Sequence, residues 1–247
     1  MTKNPTILAF DSTGHFSSAG IFDKIGNEFL LTSYDCNFKD TNSELKRKSI
    51  SSLVSGVINQ NKKEKIDMIA ITLGPGSFTK IRSSLSYAKG LSLGLKIPLI
   101  GVNSFQKLFY AKKIIYKQNV NLILACDTFR NSVFYSFQNQ EDKNFKNKIE
   151  IKNLDNLMKI DEMYNDNNIF IVGDASIKVF QELKNNGLSV NKAKKAWDLY
   201  DETGLKSLVK IALENFNNNI LICDPVYISE PITLSLIHIS EPTRPMN

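Results

Sequence analysis

The chain has 247 residues, 42% of them apolar and 23% charged, a globular composition that excludes a disordered, fibrous or membrane-spanning protein. Net charge is +6 and the pI is near 9.0, which suits RNA or another acidic partner; the lysines are scattered, so a solvated Lys/Asn-rich surface accounts for it as well. Cys36, Cys126 and Cys223 are far apart and odd in number, and His15 and His238 are the two histidines, which excludes a disulfide frame and a histidine-based metal cluster.

No signal-peptide layout opens the sequence, and no run reaches the length of a transmembrane helix. The expectation is a cytoplasmic protein with reduced thiols and no membrane contact. In chain order, residues 6–10 read as a short apolar strand running into Asp11-Ser12-Thr13-Gly14. Two further strands, 16–22 and 29–34, follow with a short link at 24–26, which is the pattern of a meander. Thr41 and Glu44 have capping-box spacing. The helix predicted behind them, 44–58, carries Ile50, Leu53, Val54, Val57 and Ile58 on one broad face.

The centre of the chain is a strand–turn–helix–strand unit over residues 66–104. An apolar, β-branched run ends abruptly at Gly74-Pro75-Gly76-Ser77, and Ser77 or Thr79 can cap the helix that follows. Two parallel strands joined by a helical crossover are expected. On the helical wheel of 78–95, Ile81, Leu85, Ala88 and Leu95 form a core stripe. The other side carries Ser83, Ser86, Gly90 and Gly94, with Tyr87 and Leu93 beside them. Each interior glycine costs about 1 kcal/mol relative to alanine. A row of small residues admits a close second helix, from this chain or from a partner.

Beyond it, 105–117 reads as an amphipathic helix, 122–126 and 132–138 as strands, and 141–152 as a polar loop or hairpin tip. Leu8-Ala9-Phe10-Asp11-Ser12 and Leu124-Ala125-Cys126-Asp127-Thr128 share the pattern L-A-x-D-[S/T]. Each is an apolar strand ending in an acid and a hydroxyl, which predicts an internal duplication. A strand at 169–172 stops at Gly173-Asp174-Ala175, a helix follows to Lys184, and a last helix spans 203–215. The expected division is a first lobe of residues 1–104 completed by 203–215, and a second lobe of 105–200. Residues 232–247 fit no pattern; LSLIHISEPTRP resembles translated adaptor sequence, and the segment is expected to be an artefact or a disordered tail.

The stretch GPGSFTKIRSSLSYAKGLSLGLKIPLIGVNS resembles the TsaB/YeaZ family, with further likeness at LAFDST, CDTFRNSVFY, VGDA and DPVYIS. That family is the dimerization subunit of the bacterial complex that forms threonylcarbamoyladenosine on tRNA, beside the anticodon. The resemblance implies an actin-like, sugar-kinase-like α/β fold of two lobes, with mixed sheets flanked by helices. It implies a non-catalytic scaffold that needs no cofactor. Its partners would be a TsaD-type catalytic subunit, a TsaE-type ATPase and, through the complex, tRNA; alone it would form a homodimer. The family's pairing surface maps onto helices 44–58 and 78–95, and so onto Leu53, Val57, Ser83, Ser86, Tyr87, Gly90, Leu93 and Gly94. Lys80, Ser84 and Ser86 stand where the family often has glycine.

Asp11 and Asp127 are the candidate chemical groups, with Ser12, Arg130 and Gly173 near them in a vestigial nucleotide site. Carboxylates with water are the proper ligands of Mg²⁺, so an ATP- and Mg²⁺-dependent phosphotransferase is the alternative. Against it, both acids fit Asx turns, and Gly14 is followed by bulky His15 and Phe16 rather than a glycine-rich clamp. Gly74-Pro75-Gly76-Ser77 lacks the spacing of a phosphate loop and reads as a structural turn. Arg130 could orient Asp127. A metalloprotease, a label attached to relatives, would need paired histidine ligands that the sequence does not supply.

Overall fold

The structure, a computed structural model, describes residues 4–36, 48–61, 65–115, 120–139, 141–155, 157, 169–185, 191–192, 202–218 and 224–228. Five strands build a first sheet: β1 (Thr6–Asp11), β2 (Ser18–Ile25), β3 (Glu28–Cys36), β4 (Met68–Thr72) and β5 (Leu99–Val102). Their order is β3-β2-β1-β4-β5. The first three form the expected antiparallel meander, while β4 and β5 run parallel to β1. Every residue of β1 and β4 is buried, as continuous apolar runs in the middle of a covered sheet should be.

Helices α1 (Ile50–Gln60) and α2 (Phe78–Leu95) cover one face of this sheet. Leu53, Val54 and Val57 of α1, and Leu85 and Ala88 of α2, pack with Leu8, Phe10, Ile69 and Ile71. The α1 start is capped by Ser49, whose Oγ accepts from the Ser52 N–H at 3.1 Å. The capping box expected at Thr41 and Glu44 lies outside the described residues. Ser77 stands at the start of α2 without a side-chain cap bond. Instead its N–H donates to the Thr13 carbonyl at 2.7 Å, tying the turn to the end of β1. Leu95, expected in the core stripe, is half exposed, because α2 ends there with Lys96 in the left-handed conformation.

The chain then passes through α3 (Ser104–Ile115) into a second sheet of β6 (Asn121–Arg130), β7 (Ser132–Gln138), β8 (Glu150–Asn153), β9 (Ile169–Val172) and β10 (Asn191–Lys192). Its order is β10-β9-β6-β7-β8, with β6, β7 and β8 antiparallel and β9 and β10 parallel to β6 and β9 in turn. The two sheets therefore share strand order and sense. The repeated L-A-x-D-[S/T] falls near the end of the central strand of each. Part of the segment expected as a polar loop at 141–152 is strand β8, held on β7. Phe105, Leu108 and Phe109 of α3 cover one face of β6, and Val179 and Leu183 of α4 (Ser176–Asn185) the other.

The last helix, α5 (Glu202–Asn217), returns to the first sheet. Leu205, Leu208, Val209 and Ala212 fill the face left open by α1 and α2, against Ile7, Ala9, Met68 and Ala70. Residues 224–228 lie beside the central turn, where the Val226 N–H donates to the Leu73 carbonyl at 2.9 Å. The 232–247 tail lies outside the described residues.

Candidate functional site

Both central strands carry an acid near the end, and each acid is met by a lysine of this chain. The Asp11 carboxylate accepts from the Thr13 N–H at 2.8 Å and the Thr13 hydroxyl at 2.7 Å, the geometry of an Asx turn. It also pairs with Lys107 of α3, whose side chain is only 1% exposed. Burial alone would raise the Asp11 pKa; the Lys107 ammonium and the Thr13 bonds outweigh it and hold the carboxyl below its ordinary value.

Asp127 is treated alike. Its Oδ1 accepts from the Phe129 N–H at 2.7 Å, and its Oδ2 from Lys178 Nζ at 2.5 Å. His15 Nε2 lies 2.9 Å from the same oxygen; a carboxylate only accepts, so that nitrogen carries the hydrogen. Burial again raises this pKa, and the bonds from Lys178, His15 and Phe129 bring it below the ordinary value. Asp174 completes the group, accepting from the Asp127 N–H at 2.8 Å and the His15 N–H at 3.2 Å. Here burial prevails and lifts the carboxyl to about 6.

Two glycines let these segments meet. Gly173 has φ +116, and a Cβ there would lie 2.0 Å from the Ala125 carbonyl oxygen. A Cβ on Gly76 would lie 2.3 Å from the Thr13 carbonyl oxygen. Gly74, at φ +97 with a cis bond to Pro75, accepts from the Ser104 N–H at 2.8 Å. The Gly74-Pro75-Gly76-Ser77 turn is thus held between β1, α2 and α3. Ser12 is buried, with its Oγ 3.3 Å from the Lys80 carbonyl. Lys80 Nζ donates to the Gly14 carbonyl at 2.7 Å and the His15 carbonyl at 3.3 Å.

Arg130, expected to orient Asp127, is solvent-exposed at the end of β6; Lys178 and His15 hold that acid instead. Lys107, Lys178 and His15 were not legible as partners of the two acids. Lys107 alone left a trace in the sequence, as a charge among Phe105, Leu108 and Ala111 on a buried helix face. A divalent cation does not fit here. The carboxylate oxygens it would need carry ammonium groups, and among the described residues no cluster of three or more His, Cys, Asp or Glu could hold a metal ion.

The outer flank of α2 is a second feature. Ser83, Ser86, Gly90 and Gly94 are exposed, and Leu93 is 79% exposed. A Cβ built on Gly90 or Gly94 meets nothing within 4 Å. Tyr87 is half-buried, its ring set edge-on to Phe10 with centroids 6.2 Å apart. Leu53 and Val57, expected on the same outward surface, are fully buried in the chain's own core. The broad apolar face of α1 serves the sheet, which leaves Ser51, Ser55 and Asn59 outward.

The family model described as TsaD, tRNA N6-adenosine threonylcarbamoyltransferase, matches residues 43–216, well over half of the chain. The chain belongs to the TsaD family. Among curated relatives, this TsaD-family chain is 29% identical over 133 residues to the tRNA threonylcarbamoyladenosine biosynthesis protein TsaB of Buchnera aphidicola, covering 53% of the chain and 56% of that protein. It is 33% identical over 115 residues to a tRNA N6-adenosine threonylcarbamoyltransferase of Porphyromonas gingivalis, covering 42% of the chain and 33% of that protein. The aligned stretches thus span about half and one third of these relatives. In fold, YeaZ from Pseudomonas aeruginosa superposes with a TM-score of 0.63 at 15% identity, over 91% of this chain and 100% of that one. The TsaB/YeaZ resemblance and the α/β fold of two mixed sheets flanked by helices are borne out. Among the described residues, no helix is long and apolar enough to cross a membrane.

Proposed function

We propose that this chain is the TsaB/YeaZ-type subunit of a tRNA threonylcarbamoyladenosine-forming assembly, and that it acts in the cytoplasm by binding rather than by catalysis. The open flank of α2 carries this reading. Small side chains along Ser83, Ser86, Gly90 and Gly94 would let a partner's helix approach closely, and Leu93 and Tyr87 would be covered by it. The outward residues of α1, not Leu53 and Val57, would complete the surface. The partner is a TsaD-type catalytic subunit, with a TsaE-type ATPase and tRNA joining through the complex. Alone, the same surface would pair two copies. Asp11, Ser12, Asp127 and Gly173 are then the remains of a nucleotide site, its two acids neutralised by Lys107 and Lys178.

The test is co-expression with the TsaD-type subunit of the same genome. Gly90→Leu places a large side chain where the isolated chain has open space. It also removes a helix-interior glycine, so the variant should melt at or above the wild-type temperature. Loss of co-purification and of tRNA modification, with melting intact, is the expected result. Continued pairing by Gly90→Leu, or Mg²⁺-dependent ATP turnover by the isolated chain, would overturn the proposal.

A further inference from the structure

Where the segment after β1 meets the end of β6, an aromatic residue occupies a backbone conformation that favours glycine. Phe129 has φ +62, where bulky side chains are disfavoured. The residue is 46% exposed, so it contributes little to the core in return. The residue sits where the β6–β7 register shifts between Asp127 and Arg130. Its ring meets that of His15 edge-on, with centroids 4.9 Å apart. His15 is 42% exposed, so two flat rings, one from each half of the fold, line the same rim.

The charges around these rings are sorted by depth. Lys178 and Arg130 are exposed, and Lys80 is held on the backbone carbonyls of Gly14 and His15. The acid beneath, Asp127, is 1% exposed and already carries bonds from Lys178 and His15. Asp174 is part-buried and accepts from the His15 N–H, so the exposed charges near the rings are those of Arg130 and Lys178. A basic rim alone would attract any polyanion. Exposed rings beside cations add a means of holding an unstacked base, with ring against base and guanidinium on phosphate.

We propose that the rim of Phe129, His15 and Arg130, flanked by Lys178 and Lys80, binds an unpaired nucleotide of an RNA loop. The base lies on the Phe129–His15 pair and its phosphate on Arg130. This rests on the reading of the chain as part of a tRNA-modifying assembly, and adds a direct RNA contact outside the row of Ser83, Ser86, Gly90 and Gly94.

Fluorescence anisotropy of the purified chain with a labelled RNA stem-loop, and with a blunt RNA duplex of the same composition, tests it. The stem-loop should bind more tightly than the duplex. Phe129→Gly relieves the backbone and should melt at or above the wild-type temperature, yet weaken stem-loop binding by about five-fold or more. Phe129→Tyr should retain it. Arg130→Ala should flatten the salt dependence of binding by about one phosphate contact. Equal affinity for loop and duplex, unchanged binding by Phe129→Gly, or a lower melting temperature for that variant would each overturn the proposal. Co-purification of Phe129→Gly with the TsaD-type subunit is measured alongside. Loss of stem-loop binding by Phe129→Gly with normal pairing is the expected result; a wild-type chain that pairs normally but binds no stem-loop refutes this RNA contact and leaves the scaffold reading standing.

Discussion

Replacing Lys107 with methionine keeps a long side chain in its place but takes away the charge. Asp11, itself fully buried, then retains the Thr13 bonds but loses its counter-ion. Removing one member of a buried ion pair costs about 3–5 kcal/mol, because the other charge is left uncompensated. For a chain of this size each kcal/mol moves the melting temperature by about 2–4 °C, so Lys107→Met should melt roughly 6–20 °C lower. The pH dependence should also change sign. In the wild type the Asp11 pKa lies below 3.8, so its stabilisation is present above the unfolded-state value and is lost as pH falls through the folded one. In Lys107→Met, burial is no longer opposed by the ammonium, and the carboxyl should rise above its unfolded value. Stability contributed at this site then declines as pH rises. Adding Asp11→Asn to the variant should recover much of the loss and abolish that decline. Urea unfolding of the three species from acid to neutral pH measures all of this. A loss below about 1 kcal/mol, the ordinary worth of a surface ion pair, would refute the reasoning, as would failure of Asp11→Asn to rescue.

Gly173→Ala combines left-handed backbone with a Cβ placed 2.0 Å from the Ala125 carbonyl oxygen. The conformational part alone is worth about 1–2 kcal/mol, so chemical denaturation should show a larger loss than that. Leu53→Ala should cost about 2–5 kcal/mol as a core truncation, while the variant, kept below its melting temperature, still binds the partner in a pull-down. Asp174 in the folded chain holds its proton up to about pH 6 against 3.8 for the ordinary carboxyl. Its stabilising contribution is therefore full below the unfolded value and lost as pH rises through the folded one. Asp174→Asn should remove that component, so stability relative to wild type should improve from pH 4 to pH 7 in urea titrations. The gain should fall short of the ~3 kcal/mol that a rise from 3.8 to about 6 represents, since Asp174 is only part-buried.

Local pattern exposed much of the fold. The alternating and continuous apolar runs placed the strands of the first sheet, and the glycine–proline turn marked where β4 hands over to α2. The five-residue repeat pointed to the duplicated strand order. What the sequence hid was pairing over long separations. Lys107 lies 96 residues from Asp11 and Lys178 51 residues from Asp127; no spacing rule connects them, because each pair meets only when a helix packs against a distant strand. His15 reads as a turn residue because its role depends on the approach of the second half. Leu53 and Val57 failed as interface residues for a related reason. Helical periodicity identifies an apolar face, but not whether that face meets the chain's own sheet or another protein.

The position of α5 bears on how the protein is made. The first sheet is spelled out by residues 6–102, yet one of its faces is covered by a helix that begins at residue 202. During synthesis, Ile7, Ala9, Met68 and Ala70 must wait, uncovered, while the entire second sheet emerges. Contacts of such long range are slow to close, and apolar surface exposed in the interval invites aggregation. A ribosome stalled before α5 would therefore carry a hydrophobic sheet face needing protection, and nascent-chain crosslinking should find chaperones there until the last helix is released.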